Sequence, residues 1–454
     1  VSEIKKYEYL FLGGGKGGKS LAMDLARAGK RVAVIERGMI GGSCINVACI
    51  PSKTLIQNAR VANVLRSDGN HPFAKADAAK VRANIQAVVD GMIESNLSAF
   101  KKSGLELVMG TGRFVGPRQI HVRLNDGGEQ LFEGENVYIN TGTVATIPDV
   151  PGLREASPLT HVEALKLDVL PQKLIVLGGG YIGLEMAQAF RRLGSEVTLV
   201  HDGSRVAMRE DEDVSLEIER ALKADGIELK LAARPVKVQG QSGSKVTMNL
   251  EDGTQVEGTH LLVATGRKPL TDEIGLDLAG VECDARGFIK VDDKLATSAR
   301  RTWAIGEVAG TAMFTHASFD DYRILKAGIE GRPASVAART IPYALFIDPE
   351  LGRIGLNETE AKARHLPVRV ARLPMAAVPR ARTNGDTQGF MKALINPETD
   401  KIVGFTMLGS NAGEVMSVVQ MAMLGDLPYT AVRDAIIAHP LLSEGLNLLF
   451  ATLA

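Results

Sequence analysis

Short apolar runs that end at glycines recur along the chain, and one arrangement of them occurs twice. Tyr9–Leu12 reads as a buried strand and runs into Gly13-Gly14-Gly15-Lys16-Gly17-Gly18. A helix to Arg27, a turn at Gly29 and a second strand, Arg31–Ile35, follow, and that strand ends in Glu36. From residue 173 the pattern repeats as strand Lys173–Leu177, Gly178-Gly179-Gly180-Tyr181-Ile182-Gly183, a helix to Arg192, a turn at Gly194 and strand Glu196–Val200. Each is a strand–turn–helix–strand unit of the size that builds a doubly wound parallel sheet. Three further runs, Val137–Gly142, Leu261–Arg267 and Thr302–Glu307, read as strands ending at loops over a bound group. Beyond residue 336 the pattern becomes alternating strands (Tyr343–Ile347, Phe390–Ile395, Ile402–Leu408) and a long helix (Gly413–Leu424), with no glycine-rich loop. That region predicts a separate α+β domain. Boundaries fall near Pro148–Pro151 and near Pro269. The expected fold class is α/β, with two dinucleotide-binding domains and a C-terminal α+β domain.

Composition narrows the function classes. A length of 454 residues suggests about three domains. Lys plus Arg (53) balance Asp plus Glu (53), so neither a nucleic acid nor an anionic membrane is an expected partner. No apolar run reaches transmembrane length, and the apolar stretch Tyr7–Leu12 is consumed by the first strand rather than by a signal peptide. Three cysteines make no secreted disulfide framework, so a cytoplasmic location is expected. Charged segments such as Arg209–Glu212, and the pair Arg380 and Arg382, read as solvated surface.

In a G-x-G-x-x-G the first glycine makes the tight turn and the second lets the backbone approach a pyrophosphate. The third lets helix and strand pack closely. Gly13, Gly15 and Gly18, and again Gly178, Gly180 and Gly183, predict two dinucleotide sites with diphosphates at helix N-termini. Gly13–Ser20 (GGGKGGKS) also satisfies the G-x-x-x-x-G-K-[ST] pattern of a nucleoside-triphosphate loop. Glu36, 18 positions beyond Gly18 at a strand end, decides against that reading, because an acid there binds a ribose 2′-hydroxyl. In the second unit the equivalent position holds His201. A missing carboxylate removes repulsion against a 2′-phosphate, and Arg205 is placed to reach one, which favours NADPH. The adjacent Asp202 leaves NADH open.

Gly41–Lys53 (GGSCINVACIPSK) follows the first unit directly and sets Cys44 and Cys49 beside the expected cofactor. Two thiols five positions apart can close a small disulfide loop that stores two electrons; taken alone they also fit buried structural thiols. A zinc site fits less well, since the only other cysteine is Cys283 and no neighbouring His or Cys completes four ligands, so no resident metal is expected. In a reducing cytosol a disulfide is usually transient and catalytic. Far along the chain, His439 has Glu444 five residues on. This is either a capped turn with a satisfied histidine or a base suited to thiol–disulfide exchange. His71, His121, His161, His260, His316 and His365 read as structural or exposed.

Taken in this order, the motifs resemble those of the flavin-dependent pyridine nucleotide-disulfide oxidoreductases, over essentially the whole chain. The resemblance implies an FAD-binding domain from residues 1–149 and 270–335, an NAD(P)-binding domain from 150–269, and a dimerisation domain from 336–454. It implies a homodimer that passes hydride from NAD(P)H through FAD to a Cys44–Cys49 disulfide. The electrons then go to a small-molecule disulfide or, in reverse, come from a dithiol. By the same resemblance Cys44 is the interchange thiol and Cys49 lies against the flavin. Lys53 sits near the flavin and pairs with Glu185, and Tyr181, beside Ile182, gates the nicotinamide pocket. Gly42, Ser43, Gly112, Thr141, Gly142, Gly306 and Glu307 fall along FAD, with Gly266 and Arg267 over the coenzyme. His439 and Glu444 match a catalytic dyad that the family supplies from the partner subunit. Three departures stand out: Ser43 and Ala48 where Thr and Gly are common, Asn140 for Ala, and Glu307 for Asp, which re-aims a flavin contact. Phe314–Ile324 and Met375–Asp386 are most similar to the mercuric-reductase-like branch, which includes the flavoprotein copper reductase of reactive chlorine resistance. A soft metal ion, Cu(II) or Hg(II), or a quinone is therefore the alternative acceptor. Against mercury, the chain shows no N-terminal metal-binding domain and no C-terminal cysteine pair.

Overall fold

A computed structural model describes residues 3–67 and 76–453; His71 lies outside them. Strand β1 (Lys5–Leu12), helix α1 (Lys16–Arg27) and strand β2 (Val32–Glu36) form the first unit. β2 is buried at every position, as a central parallel strand covered on both faces must be. β1 pairs in parallel with β2 (Leu10 opposite Ala33) and, on its other edge, with Glu129–Ile139. Thr302–Ala304 adds the next parallel strand beyond that, so the chain returns to its first sheet after the second unit is complete. Glu106–Gly116 closes the other edge against β2. This strand and Glu129–Ile139 are both long enough to leave the parallel layer and pair antiparallel with Gln119–Leu124. The short helix α2 (Ser43–Asn46) and the long helices α3 (Cys49–Ser67) and α4 (Ala78–Ser103) follow β2.

The second unit is a four-stranded parallel sheet in the order His260–Val263, Lys173–Leu177, Glu196–Val200, Glu228–Lys230. An antiparallel trio, Pro235–Gln241, Lys245–Leu250 and Gln255–Gly258, completes it. The C-terminal region is a five-stranded antiparallel sheet ordered Tyr343–Leu345, Leu351–Gly355, Ile402–Leu408, Phe390–Ile395, Arg369–Pro374. Helix Ala412–Leu424 packs on this sheet. Four strands have the bounds read from the sequence, and the expected strand Val137–Gly142 stops at Ile139, where Asn140 turns into the loop. The α3–α4 pair and both antiparallel meanders carry no sequence motif and were not anticipated.

One expectation is overturned. Arg209–Glu212 is not a solvated charge run, because Glu210 and Asp211 are buried against the C-terminal sheet. Lys392, 1% exposed, donates to Asp211 (2.8 Å), Asp213 (2.9 Å) and Glu358 (2.7 Å). Arg353 reaches Glu210 at 3.3 Å. Arg192, on the helix Tyr181–Leu193, likewise bridges Asp225 (2.8 Å) and Asp348 (2.6 Å). Opposite charges up to 181 residues apart in sequence meet here, which no local pattern reveals. Burial pushes the Asp211 carboxyl up, but Lys392 and the Thr359 donors outweigh it and hold the group below the ordinary range. Its stabilising contribution is therefore present above the unfolded pKa and lost as pH falls through the folded one. Lys392→Met, which strands the buried Asp211 carboxylate, should lower stability by about 3 kcal/mol in urea unfolding at neutral pH. It should also flatten the loss of stability below about pH 4.

Candidate redox site

The first glycine-rich turn is shaped by what surrounds it. Gly13 has φ +100°, and a Cβ there would meet Asn140 O at 2.4 Å; Cβ atoms on Gly15 and Gly18 would meet Asn140 Oδ1 at 2.6 and 2.7 Å. Only glycine lets α1 start this close to the strand ends. Asn140 fills the space an alanine would leave: its Oδ1 accepts from Gly18 N (3.2 Å) and its Nδ2 donates to Ile305 O (2.7 Å). Glu36 ends β2 at 7% exposure and accepts three backbone N–H groups, from Gly14, Gly38 and Met39, all at 2.9 Å.

From Glu36 a cleft of ≈ 390 Å³ runs past Gly13 and Gly112 to Cys44, Thr315 and Glu307. Its length, its glycine floor and the acid at one end fit an extended dinucleotide such as FAD. Ser43, Gly42, Thr141 and Gly142 line it as well. A Cβ on Gly42 (φ +90°) would come within 2.8 Å of Gly15 Cα, so the cysteine segment is pressed onto the first glycine-rich turn. Gly306 N–H donates to Asp321 at 2.7 Å, and this fully buried carboxylate also pairs with Arg339 at 2.6 Å. Asp321 was not anticipated.

Glu307 does not project freely into the cleft. Its carboxylate accepts from Thr143 Oγ1 and lies 3.4 Å from Arg267 Nε, while Arg267 also donates to Thr143 Oγ1 (2.7 Å) and Thr143 O (3.0 Å). The extra methylene relative to Asp brings the carboxylate to this pair. His161, read from sequence as structural or exposed, lines the same cleft with Nε2 3.4 Å from Arg267 Nη1. Burial, then the Arg267 charge, pull it down to about 4, so it is neutral near pH 7.

Cys44 and Cys49 are adjacent thiols in reduced form, Cys44 on α2 and Cys49 at the start of α3. The neighbouring Cys44 thiol favours the Cys49 thiolate, Thr315 Oγ1 lies 3.3 Å from Cys49 Sγ, and the Lys53 charge acts on the same sulfur. These outweigh burial and lower the Cys49 thiol to about 6, whereas Cys49 and burial hold Cys44 high. The pair therefore loses its first proton as Cys49. Lys53 Nζ meets Glu185 at 2.8 and 3.0 Å, and Glu185 Oε1 also accepts from Phe346 N (3.0 Å). Thr315 has no motif of its own in sequence and emerges only from packing.

In the second unit Gly178 (φ +120°) and Gly183 repeat the close approach, Gly178 against Ala264 O and Gly183 against Gly178 O. Gly180 caps the helix that begins with Tyr181 and Ile182, and Gly266 (φ +145°) turns the chain into Arg267. The Tyr181 hydroxyl donates to Glu210 (2.5 Å), which Tyr343 also reaches (2.7 Å). His201 packs against Gly179 with Nδ1 3.2 Å from Asp202, and burial lowers its pKa. Arg205 donates from Nη2 to Glu210 O at 3.4 Å, while its Nε has no partner. His439 Nδ1 is 3.0 Å from both Glu444 oxygens; its side chain is 66% exposed and no hydrogen bond joins it to the thiols of its own chain. Among the described residues no three His, Cys, Asp or Glu side chains cluster as a metal site, and no helix is long and apolar enough to cross a membrane.

The chain belongs to the pyridine nucleotide-disulphide oxidoreductases, whose sequence profile matches residues 7–321 and whose dimerisation domain matches residues 341–449. The probable pyridine nucleotide-disulfide oxidoreductase RclA of Escherichia coli K12 is 35% identical over 99% of both chains. A mercuric reductase of Bacillus cereus is 33% identical over 98% of this chain and 71% of its own. The Cu(II) complex of the HOCl-induced flavoprotein disulfide reductase RclA from Escherichia coli has the same fold, with TM-score 0.92 and 34% identity over 99% of this chain and 100% of that one. The protein is thus an FAD-dependent, NAD(P)H-using disulfide oxidoreductase that forms a homodimer. In the reduced protein, Thr315→Val should raise the Cys49 pKa and slow its iodoacetamide alkylation at pH 6 by about tenfold, read by peptide mass spectrometry.

Proposed function

We propose that Cys44 and Cys49 are the redox pair and that they reduce a small-molecule disulfide with electrons from NADPH. The observation that carries this reading is the paired thiols at the end of the cleft, Cys49 held acidic by Cys44, Thr315 and Lys53. Bound FAD supplies two-electron exchange with the nicotinamide coenzyme and with the thiol pair. Gly13, Gly15, Gly18 and Gly42 would hold its diphosphate, Glu36 its ribose, and Ser43, Gly112, Thr141, Gly142, Gly306 and Glu307 the rest. We assign residues 1–149 and 270–335 to the FAD domain, 150–269 to the NAD(P) domain and 336–454 to the dimerisation domain. The return of Thr302–Ala304 to the first sheet supports the split first domain.

In the working direction the reduced Cys44 sulfur attacks the acceptor disulfide, and its proton passes to the partner subunit's His439, oriented by the partner subunit's Glu444. The acceptor S–S bond breaks and one acceptor thiol leaves; the Cys49 thiolate then attacks Cys44, closing the internal disulfide and releasing the second acceptor thiol. Two observations support a site shared across the dimer: the exposed His439, and apolar side chains left uncovered beside it, Ile436 fully and Leu441 nearly half. Lys53 and Glu185 fix the base of α3, and Tyr181 gates the nicotinamide position through its bond to Glu210. His201 and Arg205 favour NADPH, and Gly178, Gly180, Ile182, Gly183, Gly266 and Arg267 complete that pocket. A reducing cytoplasm suits a thiol pair that must be recycled. A second reading has Cu(II) or Hg(II) as substrate at the same thiols, favoured by the Cu(II) complex of the similar flavoprotein and by the mercuric reductase among the relatives.

His439→Gln should spare flavin reduction by NADPH and slow disulfide turnover by about 10²-fold or more, with metal reduction changed far less. Mixing His439→Gln with Cys44→Ser subunits should restore one competent site per heterodimer; no recovery from verified heterodimers would rule out the shared site. Arg205→Ala should raise KM for NADPH more than for NADH, because a 2′-phosphate contact is charge-assisted. Equal changes would remove Arg205 from coenzyme choice.

A further inference from the structure

Dinucleotide binding leaves the second lysine of GGGKGGKS unexplained. Lys19 lies on the first turn of α1, is 5% exposed, and donates from Nζ to Asn96 Oδ1 on α4. It is not part of the cleft lining; Lys16 is, with its ammonium 4.6 Å from the Phe319 ring. Instead, Lys19 sits under the turn that opens the cysteine segment. A Cβ built on Gly41 would come within 3.0 Å of Lys19 Nζ and 3.1 Å of Asn96 Cγ. Two residues on, α2 begins, and Cys44 is its second residue.

The charged or titratable groups that act on Lys19 are Lys16 on its own helix and Cys44 on α2, while α4 offers only the Asn96 amide. Among the described residues no carboxylate lies within ion-pair distance of it. Lys53, the other lysine near the thiols, differs in being matched by Glu185 at 2.8 Å. A buried ammonium whose acceptor is a neutral amide is unfavourable unless an anion shares its surroundings. Lys19 is outside the lining of the cleft assigned to the diphosphate, and the protein's own anion that acts on it is the sulfur of Cys44.

We propose that Lys19 is the counter-charge of the Cys44 thiolate, a positioning residue that favours ionised Cys44 for attack on the acceptor. The inference rests on Cys44 being the attacking thiol. In that attack Cys44 sulfur bonds to one acceptor sulfur, the acceptor S–S bond breaks, and the second acceptor sulfur leaves as a thiolate. Cys49 thiolate then attacks Cys44, the mixed disulfide breaks, and the remaining acceptor sulfur leaves with its electron pair. Lys19 stays an ammonium throughout and exchanges no proton. Burial, then Lys16, lower its pKa to about 8, against the pull of Cys44. The charge is therefore complete well below pH 8 and lost as pH rises through it, so its help to Cys44 fades in alkaline solution.

The test is iodoacetamide alkylation of Cys44 in the Cys49→Ser holoenzyme, followed on the Cys44 peptide by mass spectrometry. Adding Lys19→Met should slow labelling at pH 7 by about tenfold, one pKa unit. Lys19→Arg should restore the rate and keep it above pH 8, where the lysine enzyme falls behind. Less than a twofold effect of Lys19→Met, or no rescue by Lys19→Arg, overturns the proposal. So does loss of FAD from Lys19→Met with labelling unchanged, which would assign the lysine to the diphosphate. Should Lys19→Met not fold, the pH profile of Cys49→Ser alone decides: an inflection near pH 8 beyond the thiol's own titration supports the proposal, and a single titration overturns it. The underlying reading is checked separately by thiol titration of the wild type, which should gain two thiols on NADPH reduction. Their absence removes the reading itself, whereas their presence with a negative Lys19 result removes only the inference.

Discussion

The redox site depends on how closely α1 approaches the ends of its sheet. Asn140 is the tie: one side-chain amide accepts from Gly18 on the helix and donates to Ile305, just past the strand that returns after the second unit. A side chain on Gly13, Gly15 or Gly18 would collide with Asn140. Hydrogen bonds and steric exclusion thus act on the same few atoms, and the diphosphate turn, the returning strand and the cysteine segment are held in one geometry. The cleft from Glu36 to Cys44 exists because those three pieces do not separate.

On that frame the two thiols are made unequal. Cys49 starts α3, facing Thr315, with Cys44 and Lys53 favouring its ionised form; Cys44 sits on the single turn before it. The first proton lost leaves Cys49 ionised, which separates a thiolate that stays inside from a thiol at the cleft. The glutamate in place of the family's aspartate works in the opposite sense. Glu307 is drawn onto Thr143 and Arg267, so the wall of the cleft is braced by an ion pair beside a neutral, buried His161.

The second glycine-rich unit is fastened to the C-terminal sheet by charges rather than by apolar packing alone. Glu210 gathers Tyr181, Tyr343 and Arg353, and Lys392 gathers three carboxylates. Tyr343 in turn stacks on Phe314, a residue of the cleft, at 5.5 Å. A continuous line of contacts therefore joins the second glycine-rich loop, the C-terminal domain and the redox end of the first cleft. Buried pairs of this kind add little net stability over apolar packing, but each strongly disfavours any arrangement that strands one partner. Their effect is to specify how the units dock.

The sequence by itself determined the parts whose information is local. Each glycine-rich turn between an apolar strand and a helix, the acid at the end of β2, the five-residue cysteine spacing and the His439–Glu444 pair are short-range patterns, because one turn or one helix start supplies their geometry. Four strand ranges were legible for the same reason. Tertiary structure alone decided what depends on residues far apart meeting. Asn140 looked like a departure from pattern until Gly18 and Ile305 were seen on either side of it. Thr315 lies 266 positions from the cysteine it touches; it and Asp321 fall within the Phe314–Ile324 run, but nothing local marks either as a site residue, and His161 has no motif at all. The stretch Arg209–Glu212 read as surface because charge on a short segment is usually solvated. Its middle pair, Glu210 and Asp211, is buried because Arg353 and Lys392 arrive from another sheet, and a sequence does not show which distant charge will offset the cost of desolvation.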